Sequence, residues 1–188
     1  WQGMFYFNEE AANAYVSTDA DGNVTISNMD YDLLFDTTKK LSTLDVLHLL
    51  AFRGEGSAWD YSAKPNLGNS NVIGTRSQSE CHIFETRPNM PKELAVLQWQ
   101  CMADAEFGIY VPYYSALLVD TSELYQTETR PNKVDLLTGD TEDQINTNFH
   151  LINYLCDMNR ETDPEVGAAV KAYFEKYQQS LIDQQAVV

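Results

Sequence analysis

This sequence has few basic residues and no long apolar run, the features that indicate a nucleic-acid or membrane partner. It carries 12 basic residues against 28 acidic ones, which gives a formal net charge of −16. Binding to nucleic acid is disfavoured because phosphate contacts need a basic surface, and adhesion to anionic lipid is disfavoured for the same reason. No run approaches the roughly 20 apolar residues that a membrane span requires. We therefore expect no nucleic-acid partner and no membrane partner.

Cysteine is equally scarce, and its pattern excludes two kinds of site. The three cysteines, Cys81, Cys101 and Cys156, are widely spaced and odd in number, so they form neither a disulfide framework nor a metal-binding motif. The three histidines share no ligand spacing either, and no glycine-rich phosphate loop is present. No metal and no other cofactor is therefore expected. Each cysteine lies in an apolar strand or helix pattern, which predicts buried structural thiols.

The sequence begins WQGMFYFNEE, without an initiating Met and without the basic start of a signal peptide. We expect the chain to begin partway through a longer protein. The expected location is cytoplasmic, with a secreted or surface location open if an export signal precedes this segment.

The composition that is present predicts a folded α+β chain. Apolar residues make up 44%, including eleven Tyr, eight Phe and three Trp, which is enough for a sizeable core. We interpret 1–188 as a single unit with three regions. These are a β-hairpin region (1–40), a helix followed by a three-strand block (41–125), and C-terminal helices (138–186).

Hydrophobic periodicity and breaker residues predict the individual elements. Residues 1–29 are predicted to be β, with the strands of a hairpin at Tyr15–Thr18 and Val24–Ser27. The remaining predictions are a helix over Ser42–Arg53 and strands over Thr75–Glu85, Ala95–Met102 and Ile109–Tyr114. After these come a helix opened by a capping box at Thr141 and Gln144, a break at Glu161–Asp163, and a helix from Pro164 to about Gln184. Apolar residues on both faces of the strands predict a sheet covered on both sides by helices. The last helix is predicted to bury a stripe of six residues, namely Val166, Val170, Tyr173, Phe174, Tyr177 and Leu181.

The first strand of the block carries an unusual polar face. Arg76, Gln78, Glu80 and His82 alternate along it, so they are predicted to lie on one face. A guanidinium in an apolar-flanked strand must be paired, which leaves a site role or a structural ion pair for Arg76. His82 is either a satisfied core imidazole bonded near Glu80 or a residue of the site.

Two segments resemble a known family. LSTLDVLHLLAFRGEGSAWD (41–60) and GTRSQSECHIFETRPNMPKELAVLQWQCMADAEFGIYVPYY (74–114) are similar to the bacterial dipeptidase A family, cysteine peptidases of the N-terminal-nucleophile hydrolase superfamily. The resemblance covers roughly Leu41–Tyr125. It implies that the chain is the C-terminal portion of a four-layer αββα sandwich, with antiparallel strands flanked by helices.

The resemblance also implies a mechanism and a site. In that family an N-terminal Cys acts as nucleophile and its own α-amine as base. Because this chain begins with Trp1, the nucleophile is expected outside it, and the chain alone is expected to be inactive. By resemblance Arg76 steadies the thiolate or the substrate carboxylate, and Glu80 and His82 bind substrate or form a second shell around it. The implied partners are dipeptide substrates and the upstream N-terminal half of the same protein, while association into a homo-oligomer stays open.

Two alternatives to a thiol-dependent dipeptidase remain at this stage. The first is a non-catalytic module on the same scaffold, whose aromatic and acidic surface binds peptide or protein. The second is an acyl-amide hydrolase of the same superfamily.

Overall fold

The computed structural model describes residues 1–27, 31–32, 34–67, 71–102, 104–123, 138 and 145–186, with side chains from 148 onward in the last range. The chain divides into two compact units, Trp1–Thr75 and Arg76–Val188. That 1–188 forms a single unit with three regions stays a prediction.

The first unit contains helices and a hairpin. Its elements are α1 (Gln2–Phe7), α2 (Glu9–Asn13), β1 (Val16–Thr18), β2 (Val24–Ile26) and α3 (Thr43–Leu49). The predicted hairpin is confirmed, since β1 and β2 pair antiparallel with Val16 opposite Ile26. The β prediction for the residues before it is wrong, because they form α1 and α2. Asn8 begins the second of these helices by accepting a hydrogen bond from the backbone N–H of Ala11 at 3.0 Å.

Helix α3 begins with a reciprocal cap and ends earlier than predicted. The Ser42 hydroxyl accepts from the Asp45 N–H, and the Asp45 carboxylate accepts from the Ser42 N–H. The helix stops at Leu49, four residues before the predicted end. Arg53 is buried beyond it and donates to the carbonyl of Gly74 at 2.7 Å, so this guanidinium ties the end of the helix to the following loop.

The second unit is built around a three-stranded antiparallel sheet. Its elements are β3 (Glu80–Thr86), β4 (Val96–Met102), a 3-10 helix (Ala105–Phe107), β5 (Val111–Tyr113), α4 (Ile145–Asn159) and α5 (Pro164–Gln185). The strand order is β3-β4-β5, with both pairings antiparallel. The predicted α+β class with antiparallel strands is therefore confirmed.

Strand β3 begins five residues later than predicted. Glu80 pairs with Met102, the last residue of β4, and by Ala105 the chain has entered the 3-10 helix. Among the described residues, β4 therefore offers no partner to the residues before Glu80. As a result, Arg76 and Gln78 lie outside the strand on which they were predicted.

The two faces of this sheet differ. We call the face with Cys81, Leu97, Trp99 and Cys101 the inner face, and all four of these side chains are buried. The opposite face, called the outer face, carries Phe84, which is 56% exposed. The prediction of a sheet covered on both sides thus holds only for the inner face within the residues that the structure describes.

The C-terminal helices follow the predicted break. Helix α4 ends at Asn159 and α5 starts at Pro164, as predicted, whereas the capping box at Thr141 and Gln144 lies outside the described residues. No helix in the described ranges is both long enough and apolar enough to cross a membrane.

The predicted stripe of α5 is partly wrong. Three residues of the stripe are exposed and three are half-buried, respectively Val166, Tyr173 and Tyr177, and Val170, Phe174 and Leu181. The fully buried positions are Gly167 and Gln178. The reason is that the 3-10 helix and Tyr110 contact a different side of α5. A methyl group added at Gly167 would meet the ring of Phe107, a residue of that 3-10 helix, at 3.1 Å.

Candidate functional site

Four polar side chains meet on the outer face of the β3–β4 pair. The side chains of Glu80 and His82 project from β3 on the same face because strand residues alternate. Register places His82 opposite Gln100, and Gln98 follows two residues earlier on β4. The hairpin therefore brings these side chains together without help from the rest of the chain.

A chain of hydrogen bonds ends at the Glu80 carboxylate. The Gln98 amide donates to Gln100 Oε1 at 2.7 Å, and the Gln100 amide donates to Glu80 Oε2 at 2.5 Å. His82 Nδ1 lies 3.1 Å from both carboxylate oxygens. The Gln100 hydrogen bond, and then the contacts with His82, lower the pKa of Glu80 below its ordinary value. Glu80 is thus an ionised acceptor at neutral pH.

Both members of the Glu80–His82 pair are accessible. Their side chains are 47% and 44% exposed, which excludes the alternative of a core imidazole for His82. A groove of about 510 Å³ lies beside Glu80. It is lined by Ser79, Glu80, Gln98, Gln100, Met102, Tyr113, Ser115, Leu118 and Thr121.

Arg76 does not lie beside Glu80 and His82, with which it was predicted to share a strand face. Its guanidinium forms an ion pair with Asp157 on α4, with 3.1 Å between Nη1 and Oδ2, and its side chain is 72% exposed. Gln78 accepts a hydrogen bond from the backbone N–H of Ala105 at 3.1 Å. The structure therefore brings Glu80 and His82 together and binds Arg76 and Gln78 to other elements.

Sequence reasoning missed a buried ionic cluster that reaches Arg76 through Asp157. Glu106, only 4% exposed, accepts from both terminal nitrogens of Arg160 at 2.9 and 2.6 Å and lies 2.7 Å from Lys171 Nζ. Arg160 Nε also lies 3.3 Å from Asp157. Burial alone would lower the pKa of Arg160, but its contacts with Glu106 and Asp157 raise it. No local sequence pattern could have shown this cluster, because Glu106 and Arg160 are 54 positions apart.

The three cysteines are buried, as predicted. Burial raises the pKa of Cys81, Cys101 and Cys156 above the ordinary value of 9.0. Because the thiolate is the nucleophilic form, such thiols are weak nucleophiles near neutral pH. In the part of the chain that the structure describes, no group of three or more His, Cys, Asp or Glu is arranged to hold a metal ion.

The features above define an α+β chain whose antiparallel sheet presents a polar, carboxylate-bearing groove on one face. The sequence model of peptidase family C69 matches residues 7–148. Because this match covers more than half of the sequence, the chain belongs to peptidase family C69.

Curated relatives carry dipeptidase names. A probable dipeptidase B of Streptococcus pyogenes serotype M1 is 29% identical over 126 residues, which are 60% of this chain and 25% of the relative. A probable dipeptidase B of Lactococcus lactis subsp. lactis (strain IL1403) is 26% identical over 66% of this chain and 27% of the relative. A probable dipeptidase A of S. pyogenes serotype M1 is 26% identical over 62% of this chain and 23% of the relative. The chain spans about a quarter of the length of these relatives.

Proposed function

We propose that this chain is the C-terminal part of a thiol-dependent dipeptidase, in which a segment outside this sequence supplies the nucleophilic cysteine. The observation that carries the proposal is the match of residues 7–148 to peptidase family C69, together with relatives named probable dipeptidases. The burial and the raised pKa of all three thiols support a nucleophile elsewhere.

The proposed fold of the whole protein is the αββα sandwich of N-terminal-nucleophile hydrolases. The two different faces of the sheet support it. The inner face is buried, while the outer face exposes Phe84 and Val96 at the end remote from Glu80. Exposed apolar side chains at that end are what a second sheet would cover in a sandwich.

The proposed role of Arg76 is to steady the thiolate or the substrate carboxylate. An arginine binds planar carboxylates through its fork of donors. Its pairing with Asp157 limits the motion of the guanidinium, and the 72% exposure of the side chain leaves it accessible to a ligand. Glu80 is proposed to bind substrate at the groove on the outer face. His82 is proposed either to bind substrate beside it or to hold the Glu80 carboxylate in place.

The direct test is dipeptide hydrolysis by the full-length protein and by the 188-residue chain, each with and without a thiol-alkylating reagent. We expect the full-length protein to be active and silenced by alkylation, and the chain alone to be inert. Hydrolysis by the chain alone would contradict an external nucleophile. An inactive full-length protein that binds peptide would favour a non-catalytic binding module, and hydrolysis of acyl-amides in place of dipeptides would favour the related amide hydrolase.

A further inference from the structure

The groove on the outer face combines one negative charge with neutral polar groups. Glu80 supplies the charge, amides and hydroxyls line the remainder of the polar side, and none of the described lining residues is a Lys or an Arg. A volume of about 510 Å³ falls within the roughly 300–1,000 Å³ that is usual for small-molecule sites. The charge and size suit a small ligand that carries a positive group.

The carboxylate is held in place and keeps acceptor capacity. Gln98 orients Gln100, and Gln100 donates to one oxygen of Glu80. A carboxylate has about four lone-pair positions, and among the described residues this one contacts a single amide and the His82 ring nitrogen. An ammonium group, with three donors, can therefore bind the same carboxylate from the solvent side.

Apolar surface begins directly beside this charge. Met102 is paired with Glu80 across β3 and β4, and side chains so paired have Cβ atoms about 4.5–5.5 Å apart. Leu118 and Tyr113 also line the groove. A ligand whose positive group lies next to a short apolar side chain would meet both surfaces at once.

We propose that this groove binds the amino-terminal end of the dipeptide substrate. In this arrangement Glu80 pairs with the α-ammonium group and Met102 contacts an apolar first side chain. The inference rests on the proposed dipeptidase function and deepens it, because it assigns recognition of a free amino terminus to a single carboxylate.

The test uses the full-length protein with leucyl-glycine as substrate and N-acetyl-leucyl-glycine as competitive inhibitor. Substitution Glu80→Gln keeps the shape and an acceptor for Gln100 but removes the charge. We expect KM for leucyl-glycine to rise about tenfold, equivalent to about 1.4 kcal/mol. The inhibition constant of the acetylated peptide, which has no ammonium group, is expected to stay the same.

Glu93→Gln is the matched control, since Glu93 is a half-exposed carboxylate like Glu80, lies in the loop between β3 and β4 and pairs only loosely with Lys92 at 3.6 Å. It is expected to leave both constants unchanged. Met102→Ala provides a second measurement and should reduce the preference for leucyl-glycine over glycyl-glycine.

The outcomes separate this inference from the function on which it rests. A protein that hydrolyses dipeptides with the same KM before and after Glu80→Gln would overturn the ammonium site and leave the dipeptidase function standing. Equal loss of affinity for both peptides in Glu80→Gln would also overturn it, since that result indicates damage to the groove. A full-length protein that hydrolyses no dipeptide would overturn both.

Discussion

Tyr110 and Gln178 exchange two hydrogen bonds that imitate the pairing of adjacent β-strands. The backbone N–H of Tyr110 donates to Gln178 Oε1 at 2.7 Å, and Gln178 Nε2 donates to the Tyr110 carbonyl at 3.2 Å. Both residues are buried. A side chain of α5 thereby satisfies the backbone just before β5, in place of a neighbouring strand.

Replacing this glutamine should destabilise the protein measurably. Gln178→Met keeps the size of the side chain but leaves a buried N–H and C=O unpaired, at about 1–3 kcal/mol for each unsatisfied group. The neighbouring exposed residue provides the control, since Gln179→Met should change the free energy of unfolding by less than about 0.5 kcal/mol. Urea denaturation measures both, and equal effects would show that the paired hydrogen bonds contribute nothing.

Truncation of a side chain to Ala is expected to destabilise the protein far more on the inner face of the sheet than on the outer face. Trp99 is fully buried on the inner face, so Trp99→Ala is expected to cost about 3–5 kcal/mol of unfolding free energy. Phe84 is more than half exposed on the outer face. In the 188-residue chain, Phe84→Ala is therefore expected to lower the unfolding free energy by less than about 1 kcal/mol. If the full-length protein loses as much from Phe84→Ala as from Trp99→Ala, a covering element buries the outer face, as the proposed sandwich requires.

Stability is expected to fall as the pH rises above about 9. Burial raises the pKa of Cys101 and of Cys81 above the ordinary value of 9.0, so the folded chain keeps these protons after the unfolded chain has lost them. The stabilisation is therefore complete below the unfolded pKa and is lost as the pH climbs through the folded pKa. Unfolding free energies measured from about pH 7 to 10.5 should decline, and more gently in Cys101→Ala. An unchanged slope in that variant would assign the decline to other groups.

Removal of the Arg76 guanidinium is expected to lower turnover much more than it lowers the stability of the fold. Arg76→Ala in the full-length protein is expected to lower kcat for a dipeptide by about 100-fold or more, as for removal of a donor to developing charge. The melting temperature should change little, because ion pairs with an exposed partner contribute about 0–1 kcal/mol. Lys92→Ala, at a 91% exposed side chain, is the control. Normal turnover in Arg76→Ala would contradict the proposed role.

The sheet was predictable because its signals are local. Two of the predicted strands form the β3–β4 pair, and strand alternation places Glu80 and His82 on one face. The position of Arg76 was not predictable in the same way. The first residue of β3 is set by the last residue of β4, Met102, with which Glu80 pairs. This start depends on the pairing of the two strands and cannot be read from the sequence of β3 alone.

The errors at the two ends of the chain have separate causes. Helices α1 and α2 have six and five residues, too short for a helical period to be distinguished from a strand pattern in an aromatic-rich segment. On α5 the buried face is chosen by contacts with Phe107 and Tyr110. A glycine and a glutamine therefore occupy buried positions that an apolar stripe could not indicate.

Alternate residues of strand β4 serve two different surfaces. Leu97, Trp99 and Cys101 fill the interior, whereas Gln98, Gln100 and Met102 line the groove. Substitutions at the groove-lining positions leave the packing of the buried positions in place. The lining of the groove can therefore change without loss of stability in the core. Such a strand gives natural selection a way to retune ligand preference one position at a time.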